Sequence, residues 1–142
     1  VGDEGGYAPD VQSNHEALTL IMESIKDAGY TTDQIKLGLD VASTEFYKDG
    51  LYCFEGDKKL TSAQMVEYYL DLCAQFPIVS IEDGFAEDDF AGWSLFEKTR
   101  KEKGFGYVRT VGDDLYVTNV QRLQMGIDQQ MSNSILIKLN QI

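Results

Sequence analysis

The sequence predicts an α/β fold of barrel type, and three observations carry that expectation. Short β-like runs alternate with helical patterns, each run has one apolar face and one small, polar or charged face, and ionisable residues fall near the C-terminal ends of the runs. Parallel strands need crossovers and helices supply them, so strand–helix alternation is the order of a parallel sheet.

The first helix is expected over Ser13 to Ala28. Ala17, Leu18, Ile21, Met22 and Ile25 recur at helical spacing, and Ser13-x-x-Glu16 is a capping-box pattern. Ile35 to Ala42 (IKLGLDVA) follows as a strand, with Ile35, Leu37, Leu39 and Val41 on the face that meets helices and Lys36, Gly38 and Asp40 opposite. Thr61-x-x-Gln64 opens a helix to Phe76. The next strand, Pro77 to Asp83 (PIVSIED), places Ile78, Ser80 and Glu82 on one face. A helix from Phe90 to Lys103 stops at Gly104, a C-terminal signal. Tyr107 to Asp113 (YVRTVGD) puts Arg109, Val111 and Asp113 together. Thr118-x-x-Gln121 opens a helix to about Met131, and Ser134 to Gln141 (SILIKLNQ) sets Leu136, Lys138 and Asn140 opposite Ile135, Ile137 and Leu139.

A doubly wound open sheet is the competing architecture, but helices on both sides would want both strand faces apolar. A TIM-type (β/α) barrel with a polar interior fits better. A complete barrel takes about 250 residues, so 142 residues hold roughly four and a half units. No repeat, Pro-rich linker or low-complexity tract marks a domain boundary, and residues 1–142 read as part of one barrel domain. The chain begins on Val1 without Met and ends at Ile142 inside a strand pattern, so a piece of a longer protein is expected.

Twelve Lys and Arg stand against 24 Asp and Glu, for a net charge of −12. That balance excludes a nucleic-acid clamp and argues against an anionic membrane surface as partner. At 43% hydrophobic and 11% aromatic the composition is that of a folded core rather than an acidic tail. There is no apolar run long enough for a transmembrane helix and no signal segment, and a cytoplasmic protein is the expectation. Cys53 and Cys73, without CxxC spacing, read as inert reduced thiols. His15 falls in a first helical turn with no nucleophile pattern around it, and reads as surface.

Working residues of such folds sit at the C-terminal ends of strands, where Asp40, Glu82 and Asp113 would converge. Carboxylates drawn to about 4 Å repel by something like 4 kcal/mol per pair at an effective dielectric of 20. A bound cation relieves this, and ligation by a few carboxylates with water and substrate oxygens favours Mg²⁺. The plainer alternative is that acidic residues after strands cap the next helices or stay solvated. Lys138 is either an edge-strand gatekeeper or, facing a cation, a lysine whose pKa is lowered toward service as a general base. Glu4 lies in the Gly-rich opening loop Val1 to Gly6, and is either a general acid delivered by that loop or part of an ordinary acidic turn.

Taken together these residues resemble the enolase family. The segments VGDEGG (Val1 to Gly6), GLDVAS (Gly38 to Ser43), SIED (Ser80 to Asp83), GDDLYVTN (Gly112 to Asn119) and KLNQI (Lys138 to Ile142) are similar to that family's active-site segments and stand in its order. The resemblance implies a segment of the enolase C-terminal barrel, and Mg²⁺-dependent reversible dehydration of 2-phosphoglycerate to phosphoenolpyruvate, in a homodimer. It implies that Asp40, Glu82 and Asp113 hold Mg²⁺, with Glu82 and Asp113 also facing substrate. Lys138 would be the base that removes the α-proton and Glu4 the acid that helps the hydroxyl leave. Asp114 is the rival of Asp113, and both parity and the family pattern favour Asp113. Gly84 and Val120 stand where many relatives have Pro; neither is an expected ligand. The family's N-terminal domain, second-metal loop and later phosphate-binding Lys, Arg and His residues have no counterpart in this sequence. Another lyase or racemase of the same superfamily, or a non-catalytic acidic cation-binding module, remains open.

Overall fold

Strands that follow one another along the main sheet also lie next to one another in space. The computed structural model describes residues 1–2 and 5–141, and the chain divides into two units, Val1–Ile35 and Lys36–Ile142. In the first, helix α1 (Asn14–Asp27) starts at Ser13, whose hydroxyl accepts from Glu16 N at 3.1 Å, while the Glu16 carboxylate reaches back to Gln12 N at 2.7 Å. Leu18 and Ile25 are its buried residues and His15 is exposed. Among the described residues no helix is long and apolar enough to cross a membrane.

The second unit carries, in chain order, β1 (Leu37–Asp40), β2 (Tyr47–Lys48), β3 (Leu51–Phe54), β4 (Lys58–Leu60), α2 (Ser62–Gln75), β5 (Ile78–Glu82), α3 (Phe90–Glu102), β6 (Arg109–Gly112), α4 (Val120–Gln129) and β7 (Ser134–Ile135). Strands β1, β5, β6 and β7 form one sheet in that order, all parallel, with a helix in each crossover. An open doubly wound sheet reverses its strand order at a switch point; this sheet advances in one direction, as a barrel wall does. The fold is therefore α/β, with the partial-barrel order expected from the alternation.

Four expectations change in detail. Leu37 pairs with Ile78 but Gly38 pairs with Ser80, so Val79 is an extra residue in β5. Paired residues of a parallel ladder share a face, which puts Ile78 with Ile81 and Leu37 in the core, on the same side as half-buried Leu39, rather than with Ser80 and Glu82. The last strand is two residues long instead of running to Gln141. It is the edge of the sheet, and beyond Ile135 the backbone ends in a short 3₁₀ turn, Leu139–Gln141, with Ile137 and Leu139 exposed.

Thr118 does not cap α4. Asn119 does, its side chain accepting from Arg122 N at 3.0 Å, while Thr118 sits at φ +53 and its hydroxyl accepts from Lys138 N at 2.9 Å. Finally, β2, β3 and β4 form an antiparallel meander that the strand–helix pattern left out. Its first turn is Asp49-Gly50, at φ +53 and +79, the positive pair that a tight hairpin demands.

The core lies between the sheet and helices α2 and α3. Tyr52, Tyr69, Phe85, Trp93 and Phe96 are at most 1% exposed and their rings meet at centroid separations of 5.5–6.0 Å. Buried Arg100 is satisfied by Glu97, through Nε to Oε1 at 2.8 Å and Nη2 to Oε2 at 2.7 Å, and by the carbonyl of Gly106 at 3.0 Å. The Thr110 hydroxyl donates to the same Glu97, tying α3 to β6. Cys53 and Cys73 are free thiols, and burial pushes that of Cys73 up to about 11.

Candidate active site at the strand ends

Parity and register together place the acidic residues. Asp40 and Glu82 are direct partners at the C-terminal ends of β1 and β5, on the face opposite the core. Glu82 pairs with Val111, and Asp113, two residues on, continues that face just past the end of β6. Asp40 is exposed, Glu82 half-buried and Asp113 8% exposed.

Partial burial pushes the Glu82 carboxyl upward, and the negative charges of Asp40, Asp113 and Asp83 push it further, with Lys138 opposing. Asp40 and Asp113 thus both act on Glu82, but among the described residues these three expected carboxylates do not together form a metal-holding set within 4.8 Å of one another. Lys138 closes the set from the segment after β7: its ammonium donates to Oδ2 of Asp113. That hydrogen bond holds the lysine above its ordinary value, the reverse of the direction expected opposite a cation. Thr118 fixes the Lys138 backbone, which is why its hydroxyl is not available to cap α4. Glu4, expected to serve as acid, lies outside the described residues, as do Asp3 and Ile142.

A site residue that motif reading passed over is Asp83. It is 4% exposed at φ +41, and its carboxylate accepts the amides of Asp113 at 3.0 Å and Asp114 at 2.9 Å. One carboxylate oxygen each from Asp83, Asp113 and Asp114 lie within 4.8 Å of one another, a spacing a metal ion could bridge. The doubled acids Glu82-Asp83 and Asp113-Asp114 were the available signal, but parity selects only one of each pair for the interior.

The loop after β5 is fixed on several sides. Tyr69 donates to Gly84 O at 2.6 Å, Trp93 Nε1 to Ala86 O at 3.1 Å, and Ala86 N and Glu87 N donate to the hydroxyls of Tyr52 and Thr44 at 3.0 and 3.1 Å. Arg122 joins this loop to the one after β6, through Nη2 to Glu87 O at 2.5 Å and Nε to Leu115 O at 2.6 Å. The β2–β4 meander thus supplies Tyr52 as a buttress for the backbone that carries Glu82 and Asp83.

The residues fit a hard divalent cation. Oδ1 of Asp113 is buried and has no hydrogen-bond partner among the described residues, an atom that costs roughly 1–3 kcal/mol to leave unsatisfied and that a cation would satisfy. The surrounding donors are carboxylate oxygens, the ligands that hard cations take. A family model described as Enolase, C-terminal TIM barrel domain, matches residues 1–142. The chain belongs to this family. Enolase-superfamily enzymes are of lyase and racemase type and bind Mg²⁺, and the strand-end carboxylates of this enolase-family chain occupy the face where a barrel carries its chemistry.

Proposed function

We propose that the chain carries the cation-binding and proton-abstracting part of an enolase active site, for reversible dehydration of 2-phosphoglycerate to phosphoenolpyruvate in glycolysis and gluconeogenesis, in a cytoplasmic homodimer. The supporting observation is the Asp113 carboxylate, with one oxygen paired to Lys138 and the other buried without a partner among the described residues. Asp40, Glu82 and Asp113 would hold Mg²⁺, with Glu82 and Asp113 also facing substrate. When bound, the cation supplies positive charge that offsets the negative charge growing on the substrate carboxylate.

Lys138 is assigned the α-proton. Its place beside the carboxylates supports that role: a cation held by those carboxylates would displace the ammonium from Asp113 and oppose its charge, favouring the neutral amine with its proton released to solvent. Glu4 is assigned protonation of the departing hydroxyl. Acid and base then come from separate segments and act on different substrate atoms, as an elimination requires. The five ordered motifs favour enolase over other superfamily reactions.

The test offers the full-length protein 2-phosphoglycerate and, separately, unphosphorylated carboxylates with an α-proton, and follows phosphoenolpyruvate by absorbance and α-proton exchange by NMR. Mg²⁺-dependent turnover of 2-phosphoglycerate, lost in Glu4→Gln, is expected. Turnover of another carboxylate alone would assign a different lyase or racemase; cation binding without turnover of any would assign a non-catalytic module.

A further inference from the structure

Asp83 is the point at which three successive strand ends meet. Its N–H donates to Val111 O at 2.9 Å, its carbonyl accepts from Ser43 N at 3.1 Å, and its carboxylate takes the amides of Asp113 and Asp114, one on each oxygen. Ser43 lies three residues past β1, Asp83 one past β5, and Asp113 one past β6. A single residue therefore links the segments that present Asp40, Glu82 and Asp113.

Few residues could do this. The backbone at φ +41 is left-handed, which Asp and Asn adopt at lower cost than most other non-glycine residues because their short polar side chains bond locally. The side chain must also offer two acceptors to two N–H donors, and of those two residues only the ionised carboxylate does so; an amide would turn an NH₂ against one of the backbone amides. Charge-assisted bonds of this kind are the stronger class. They hold the start of the segment after β6 at two consecutive peptide groups, which orients the Asp113 side chain.

We infer that Asp83 is a positioning residue for the metal centre: it sets the Asp113 carboxylate by clamping the backbone amides of Asp113 and Asp114. The inference rests on the proposed role of Asp113. Each oxygen of Asp83 accepts one amide and keeps a second lone pair, so the clamp on the Asp113 backbone and direct ligation are separated by the double variant below. Replacing groups that orient a ligand typically weakens metal affinity about 10- to 100-fold.

The experiment titrates Mg²⁺ calorimetrically into the full-length protein as wild type, Asp83→Asn, Asp113→Asn and the double variant. In parallel, amide hydrogen exchange of Asp113 and Asp114 is read without metal. Asp83→Asn keeps the left-handed propensity and removes one acceptor. The expected result is a roughly 10- to 100-fold loss of affinity in Asp83→Asn, faster exchange at those two amides, and a double variant no weaker than Asp113→Asn alone. Wild-type affinity in Asp83→Asn, or losses that add in the double variant, would overturn the inference, the second by making Asp83 a ligand in its own right. Should Asp83→Asn fail to fold, unprotected Asp113 and Asp114 amides in the wild type would overturn it. A wild type that binds no Mg²⁺ would instead remove the proposed metal role of Asp113, while exchange at the two amides still reports the clamp.

Discussion

The ammonium of Lys138 donates to one oxygen of Asp113, and the other oxygen of that carboxylate is buried with no hydrogen-bond partner among the described residues. A lysine in this position partly neutralises the face that carries Asp40, Glu82 and Asp113, and a divalent cation would do so more completely. A cation on Asp113 would compete with the ammonium for the same carboxylate. Without a cation, the Asp113 contact favours the protonated form of Lys138.

Lys138 should titrate above an ordinary lysine in the metal-free protein, chiefly because of the hydrogen bond it donates to Asp113. A group whose folded pKa is raised stabilises the fold fully below its unfolded value, near 10.5, and loses that contribution as pH rises through the folded value. NMR titration of ¹³C-methylated lysines should find Lys138 high, and Asp113→Asn should bring it down. An unchanged titration in Asp113→Asn would show that the pair does not form in solution.

Glu82→Gln should stabilise the metal-free protein at neutral pH while weakening Mg²⁺ binding. The Glu82 pKa is raised, so the fold favours its protonated form and is penalised once pH passes above that raised value; the penalty vanishes below the unfolded value of 4.5. Solvent screening of a half-exposed group holds the gain under about 1 kcal/mol, which for a chain of this size is roughly 2–4 °C in melting temperature. Melts at pH 7 and pH 4 check it: a gain at pH 7 that disappears at pH 4 is expected.

Gly112→Ala should disturb both stability and metal binding. A Cβ on Gly112 would stand 2.7 Å from two ring carbons of buried Tyr116 and 3.1 Å from Leu115 Cβ, one residue before Asp113. Overpacking of this kind costs about 1–3 kcal/mol, and relief by shifting the backbone would move Asp113. Chemical denaturation with Mg²⁺ calorimetry should show both losses.

Arg100→Ala should destabilise by about 3–5 kcal/mol, because it leaves the Glu97 carboxylate buried without its guanidinium partner. Denaturant unfolding checks this, and a loss under 1 kcal/mol would show that the Thr110 hydroxyl and Lys101 suffice to carry the charge.

Alternation across strands was enough to place Asp40, Glu82 and Asp113 on one face, because side-chain parity is a local property that each strand carries by itself. It failed at Ile78, where an extra residue at Val79 shifts the register and no local pattern marks it. Thr118-x-x-Gln121 is a sound local cap signal, outweighed by a tertiary demand: the hydroxyl is used twenty residues away by Lys138. The β2–β4 meander was legible, since Asp49-Gly50 is a strong hairpin signal, but it breaks the strand–helix rhythm used to order the chain. Asp83 was hidden for a different reason. Its role depends on a left-handed backbone and on two amides thirty residues on, neither of which composition or spacing displays.

The most direct measurement is turnover of 2-phosphoglycerate by the full-length protein with Lys138→Ala, alongside its Mg²⁺ affinity. Retained Mg²⁺ binding with phosphoenolpyruvate formation reduced by about 10²–10⁴-fold or more, the contribution of a positioned general base, is the predicted result. Normal turnover in Lys138→Ala would contradict it.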